Sequence, residues 1–285
     1  MGFTAKCLVI VVGTAVSFAL PIAAQAQDTE PDAPDKELTA AGPGAAHRDG
    51  KTMSHVKRRA IMPAGEVQLF LPVQISLSAG EIGTPTFVAP NLSFGLSECW
   101  TVRLQHSEAY HSPDSVAGIC FTGKENGCAL VYNNVTLEAV TSLVHETNFS
   151  LTANGGLSVV QTQPFSVGGV LGMGIGYALS EVVSLHLEPA VLMAFNERET
   201  NPHRFSVTSW AFLQASKPLL LFALVGVFSP FRDFSSEYSM PVGSGFLHSV
   251  GPNVDLGLQF TFTNLLGAEA SMDDRQITVS ATVRR

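Results

Sequence analysis

Two stretches of this chain carry residue types that could do chemistry. The first, HSEAYHSPD at residues 106–114, brings His106, Glu108, His111 and Asp114 together. Imidazole and carboxylate are metal-capable groups. A short segment holds a metal through a fixed repeat, such as two His four apart on a helix or paired ligands two to four residues apart. No helical pattern surrounds these four residues, so ligand contact or plain exposed polarity is the better reading. No metal and no cofactor is expected.

The second stretch is FSVGGVLGMGIGYALSEVVSLHLEPAVLMAF, residues 165–195, with Gly172, Gly174 and Gly176 at alternate positions. Glycines cradle a phosphate when G-x-G-x-x-G joins a strand to a helix. Here the spacing is different and no helix pattern follows. Read in twos, Leu171, Met173, Ile175, Tyr177 and Leu179 share one face, and Gly172, Gly174, Gly176 and Ala178 share the other. Beyond a turn at residues 180–182, Val183, Leu185, Leu187, Pro189, Val191, Met193 and Phe195 alternate with Ser184, His186, Glu188 and Ala190. Period two is the signature of strands, so the stretch reads as a hairpin.

Nucleophilic catalysis needs a hydroxyl or thiol within hydrogen-bond reach of a base. No G-x-S-x-G motif occurs, and the apolar faces carry almost no Ser or His. The chain does not read as an enzyme; a membrane-embedded lipid hydrolase is the third of the functional readings below.

The alternation that places these residues begins at Glu66. Val67, Leu69, Leu71, Val73, Ile75 and Leu77 oppose Gln68, Phe70, Pro72, Gln74 and Ser76. It recurs over 86–96, 100–106, 135–143, 149–161, 205–215, 219–230, 254–262 and 277–283, with a weaker strand expected at 266–272. The run LLLFALVGVF at 219–228 is apolar on both faces, which leaves its orientation open. Long connections are expected at 107–130, 196–203 and 229–246, and short ones between the other strands. Short turns at one end and long loops at the other are the pattern of a membrane barrel.

The ends and the composition agree. Residues 1–26 read as a secretory signal peptide: Lys6, an apolar stretch from Cys7 to Leu20, then Ala24-Gln25-Ala26 as a cleavage site. Residues 27–62, rich in Asp, Pro, Gly and Ala, read as a disordered periplasmic linker, with Lys57 to Arg59 a solvated flank. Residues 63–285 are then the barrel. Hydrophobic residues make up 46% and charged ones only 14%, with no apolar run in the mature chain approaching a spanning helix. Soluble domains carry roughly 25% charged residues. The net charge of -8 argues against nucleic acid as a partner.

A secreted sandwich would also alternate. Its strands average about five or six residues, whereas crossing a bilayer takes about 9 to 11. The expected strands run to the longer length, and their polar faces carry Ser, Thr, Gly, Asn and Gln rather than Lys and Glu. The expected fold is therefore all-β: a transmembrane antiparallel up-and-down β-barrel of about twelve strands. In its signal peptide and in nearly all of residues 66–285 the chain resembles Gram-negative outer-membrane β-barrel proteins. The unit PNLSFGLSECWTVRL resembles hairpins of outer-membrane channels of the aromatic-compound uptake type. The resemblance implies a place in the outer membrane, contact with its lipid, and insertion by the barrel-assembly machinery. The chain departs from it in ending on ITVSATVRR rather than on an aromatic residue.

With apolar faces outward, Arg103, Glu138, His186, Glu188, Arg204 and Asp255 point into the lumen. Mixed charges there can tune a water-filled pore or form a network that fills it. Aromatic residues near strand ends (Trp100, Phe149, Phe165, Phe195, Phe205 and Phe231) suit the two interfaces. Cys120 and Cys128 flank a turn-rich segment and are expected to form a disulfide, leaving Cys99 over as a small inert residue. The functional reading is a passive channel for small solutes. The alternative is a closed structural or surface-interaction barrel acting through its extracellular loops.

Overall fold

The computed structural model describes residues 61–78, 82–106, 117–122, 128, 130–232, 234, 236–268 and 270–285. The expected signal peptide, most of the expected linker, and Glu108, His111 and Asp114 lie outside them. Fifteen strands follow in chain order: β1 (Val67–Ser76), β2 (Thr86–Val88), β3 (Asn91–Ser97), β4 (Trp100–Gln105), β5 (Gly118–Cys120), β6 (Tyr132–Asn133), β7 (Val135–His145), β8 (Phe149–Thr162), β9 (Phe165–Ala178), β10 (Val183–Ala194), β11 (Arg204–Gln214), β12 (Leu219–Pro230), β13 (Val242–Ser249), β14 (Val254–Phe262) and β15 (Arg275–Arg284). Twelve of them, β1, β3, β4 and β7 through β15, form one antiparallel ring. The ring closes where β1 pairs with β15, from Gln68 against Arg284 to Ser76 against Gln276. Closure leaves no open strand edge.

Side-chain alternation accounts for the wall. On β9, Leu171, Met173 and Tyr177 are 54%, 47% and 49% exposed, which fixes them on the outer surface. The glycines between them face inward. The outward aromatic residues fall into two bands. Trp100, Phe149 and Tyr177 sit at the end bearing the chain termini, and Phe165, Phe195, Phe205 and Phe231 at the other. Aromatic girdles at both rims are typical of membrane barrels.

Two segments differ from expectation. Residues 266–268 and 270–272 form turns and irregular backbone, not a strand; nearby, Asn264 accepts a bond from the Met240 amide and ties this loop to the segment before β13. Part of the stretch expected as a loop over 229–246 is instead the start of β13. That strand pairs with both β12 and β14, so its register is set by its neighbours rather than by its own weak pattern.

Part-way along the wall, three adjacent crossings are interrupted side by side. β1 pairs with β2 through Val73–Ile75 and with β3 through Val67–Phe70, so β2 and β3 are one crossing broken at Ala89-Pro90. β4 and β5 are separated by residues 106–117, and β6 and β7 by Asn134, whose φ is 57°. His106 ties the breaks together. Its amide donates to Asn91 Oδ1 at 2.7 Å, and its ring spans Pro90 O at 2.8 Å and Tyr132 Oη at 3.0 Å. A carbonyl only accepts, so Nδ1 carries the proton, and in the neutral ring Nε2 accepts from the tyrosine hydroxyl.

Cys120 and Cys128 are joined by a disulfide, with Cα atoms 6.1 Å apart, and pack against Phe87. Cys99, in the β3–β4 turn, is also disulfide-bonded, so the left-over thiol expected from the sequence is corrected.

Candidate functional site: the barrel lumen

Cross-strand register decides what the lumen contains. Arg103 on β4 lies opposite Glu138 on β7, and both point inward. On β10, His186 and Glu188 point inward two positions apart. These four residues surround a cavity of about 180 Å³, completed by polar groups that include Thr152, Asn154 and Thr208. Glu138 is 2% exposed and accepts a long bond of 3.4 Å from Asn154 Nδ2. Glu188 is different: it is exposed to the lumen space.

The other two residues expected in the lumen also point inward but lie elsewhere. Arg204 opens β11 at the far rim. Asp255 sits at the opposite end, 1% exposed, in an ion pair with Arg284 and accepting from Ser249 Oγ at 2.6 Å. Arg284 Nε also donates to Gln68 Oε1 at 3.1 Å, so this cluster ties the closing strands β14, β15 and β1 together. Arg284 was legible in principle, since it continues the inward positions of β15.

The glycines of β9 have a specific use. A methyl group added at Gly172 would lie 2.7 Å from Asn154 Oδ1, at Gly174 2.6 Å from Thr152 Oγ1, and at Gly176 2.5 Å from Ser150 Oγ and 3.4 Å from His186 Cε1. The polar ends of β8 therefore lean across bare backbone. The space beside these glycines is taken by neighbouring side chains, and the cavity lies beyond them.

One wall of the lumen is aromatic, and sequence reading missed it. Trp210 and Phe212 on β11 and Phe222 on β12 face inward. The Trp210 and Phe212 rings lie parallel with centroids 6.0 Å apart, Trp210 and Phe222 are 5.7 Å apart, and His186 meets Phe212 edge-on at 5.1 Å. Gly245 on β13 leaves room for this wall, since a methyl group there would lie 2.6 Å from Phe222 Cζ. The apolar run over 219–228 concealed which of its faces turned in.

Both ends of the lumen are narrowed by the chain itself. Residues 61–65 turn into the mouth beside β1. The Met62 amide donates to Thr101 Oγ1 at 2.9 Å, Gly65 and Gly95 are joined by a backbone bond of 2.8 Å, and Ile61 is 5% exposed. Gly95 and Thr101 are inward residues, and a methyl group on Gly95 would overlap the Pro63 backbone. At the other end Val160, Val170 and Leu192 form a buried apolar cluster with Ala190. The loop after β10 is held over this end by Asn201 Nδ2 donating to Gln161 Oε1 at 2.9 Å.

No known family profile matches the sequence, and no curated protein matches it. Solved structures do match in shape. An outer membrane channel from Pseudomonas putida F1 aligns over 79% of this chain and 97% of its own, with TM-score 0.55 and 10% identity. The KdgM porin aligns over 76% and 98%, with TM-score 0.53 and 7% identity. The NanC porin aligns over 75% and 98%, with TM-score 0.52 and 6% identity. The chain has the fold of outer-membrane channel barrels. At these identities the likeness is one of fold.

Proposed function

We propose that this chain is an outer-membrane barrel through which small solutes pass passively. The observation that carries the reading is the polar, charge-lined cavity inside a closed ring of crossing strands. A barrel serving only as a scaffold has no need to hold Glu188 in contact with lumen space. The likeness in fold to porins and an outer membrane channel supports the same reading. Export by a cleaved signal peptide and assembly in the outer membrane belong to this proposal. Inward Arg103, Glu138, His186 and Glu188 set the selectivity of the central cavity, Arg204 acts at the outer rim, and Asp255 has a structural role. Residues 61–65 restrict the periplasmic mouth.

The purified chain, folded in detergent and added to a planar bilayer, is expected to give discrete conductance steps in potassium chloride. Folding is checked by heat-modifiable migration on a gel. A folded protein that never conducts, including after removal of residues 27–62, refutes the channel. The second reading, a closed barrel acting through its loops, is favoured by the buried cluster of Val160, Val170 and Leu192 at the outer end. It predicts that silent outcome.

A further inference from the structure

We infer that the lumen holds a binding site for small protonated amines that carry an apolar body. The inference deepens the channel reading and rests on it, since the ligand must reach the lumen. Four observations carry it.

The charge balance of the cavity comes first. Its lining includes two carboxylates, Glu138 and Glu188, against one guanidinium, Arg103. Arg103 and Glu138 are direct cross-strand neighbours. Glu138 is withdrawn, at 2% exposure, under the Asn154 amide. Glu188 is the carboxylate presented to lumen space, and among the described residues it makes no hydrogen bond or ion pair; Arg103 acts on it only at longer range. A carboxylate enclosed by protein and lacking close partners favours a cation that also donates hydrogen bonds, because such bonds are the stronger kind.

The second observation is what stands beside Glu188. Its register partner is Thr208, and the next inward residue on β11 is Trp210, opposite His186. Diagonal cross-strand neighbours lie roughly 7 to 8 Å apart, and a cation is attracted within about 6 Å of an indole face. Trp210 lies just beyond the lining of the cavity, so an ammonium held on the Trp210 side of Glu188 would approach the indole face.

Third, Trp210 belongs to a continuous shelf with Phe212 and Phe222, which accommodates the apolar part of the same ligand. Fourth, on the other flank of Glu188 the cavity lining offers the Thr152 hydroxyl and the Asn154 side-chain carbonyl, which accept hydrogen bonds without adding charge. An anion would gain from Arg103 alone and would face two carboxylates. A neutral ring compound would use the shelf and leave Glu188 unsatisfied.

The chain has two tryptophans, Trp100 and Trp210, and Trp100 lies outside the lumen, on the outer face at the turn end of β4. The Trp100→Phe variant, full length and folded in detergent, leaves Trp210 as the reporter. It is titrated with 2-phenylethylammonium, 2-phenylethanol and phenylacetate, which share a ring and differ in charge. The expected result is a saturable change in indole emission, with the ammonium binding about tenfold or more tightly than the alcohol, and the carboxylate weakest. Glu188→Gln should remove the preference for the ammonium while leaving heat-modifiable migration intact, and Glu188→Asp should restore part of it. Equal affinity for ammonium and alcohol, tightest binding of the carboxylate, an unchanged preference in Glu188→Gln, or no response to any of the three overturns the inference. Conductance is measured separately. Its absence bears on the channel reading, whereas the fluorescence result bears on the site.

Discussion

Replacing Arg284 with alanine tests the physical account of barrel closure most directly. Arg284 and Asp255 are 12% and 1% exposed in their side chains, and they form an ion pair. The same guanidinium reaches Gln68 on β1, the first strand of the ring. In Arg284→Ala, Asp255 keeps the hydrogen bond from Ser249 but loses the guanidinium. Removing one member of a buried ion pair costs about 3 to 5 kcal/mol, because the remaining charge stays buried. Partial access of Arg284 to the mouth places the expectation at the lower end, about 3 kcal/mol. Asp255→Asn should cost a similar amount, and the double variant much less than the sum, since neither charge is then left without its partner. The measurement is reversible urea unfolding in lipid vesicles, followed by tryptophan emission and by the loss of heat-modifiable migration. A loss under about 0.5 kcal/mol for Arg284→Ala, in the range of ordinary surface substitutions, would refute the reasoning. Strict additivity in the double variant would do so as well.

Other consequences can be checked with the same protein. Gly176→Ala forces a methyl group to within 2.5 Å of Ser150 Oγ, so it should destabilise the barrel by about 1 to 3 kcal/mol; adding Ser150→Ala should recover most of that, and failure to recover would dissociate the two sites. His106 bridges the Pro90 carbonyl and the Tyr132 hydroxyl, so His106→Ala should accelerate amide exchange at Gly118–Cys120 and Tyr132–Asn133; unchanged exchange there would refute the bridge. Deleting residues 27–62 removes Ile61 and Met62 from the mouth at the end bearing the chain termini and should raise single-channel conductance severalfold; unchanged conductance would mean that the constriction lies at the other end.

The alternation in β1, β9, β10, β14 and β15 is strong enough that the all-β barrel follows from it. Parity within each strand and pairing between them put Arg103, Glu138, His186, Glu188, Arg204 and Asp255 on the inner face. Parity fails where both faces carry the same chemistry. Over 219–228, Leu220, Phe222 and Leu224 turn inward although Leu221, Ala223 and Val225 are equally suited to either side. It fails again in VGSGFLHS, where glycines at Gly243 and Gly245 weaken the pattern and β13 exists because β12 and β14 each supply a complementary edge.

The sequence by itself determined a closed, membrane-type wall and the side of that wall on which each charge lies, because side-chain direction in a strand is a local property with period two. The tertiary structure decided distance around the ring. It brought Arg103, Glu138 and Glu188 to one cavity, sent Asp255 to Arg284 at the closing seam, and set Trp210 beside Glu188. Those relations depend on register between strands far apart in the chain, and register is fixed only when the ring closes and every strand is paired on both sides.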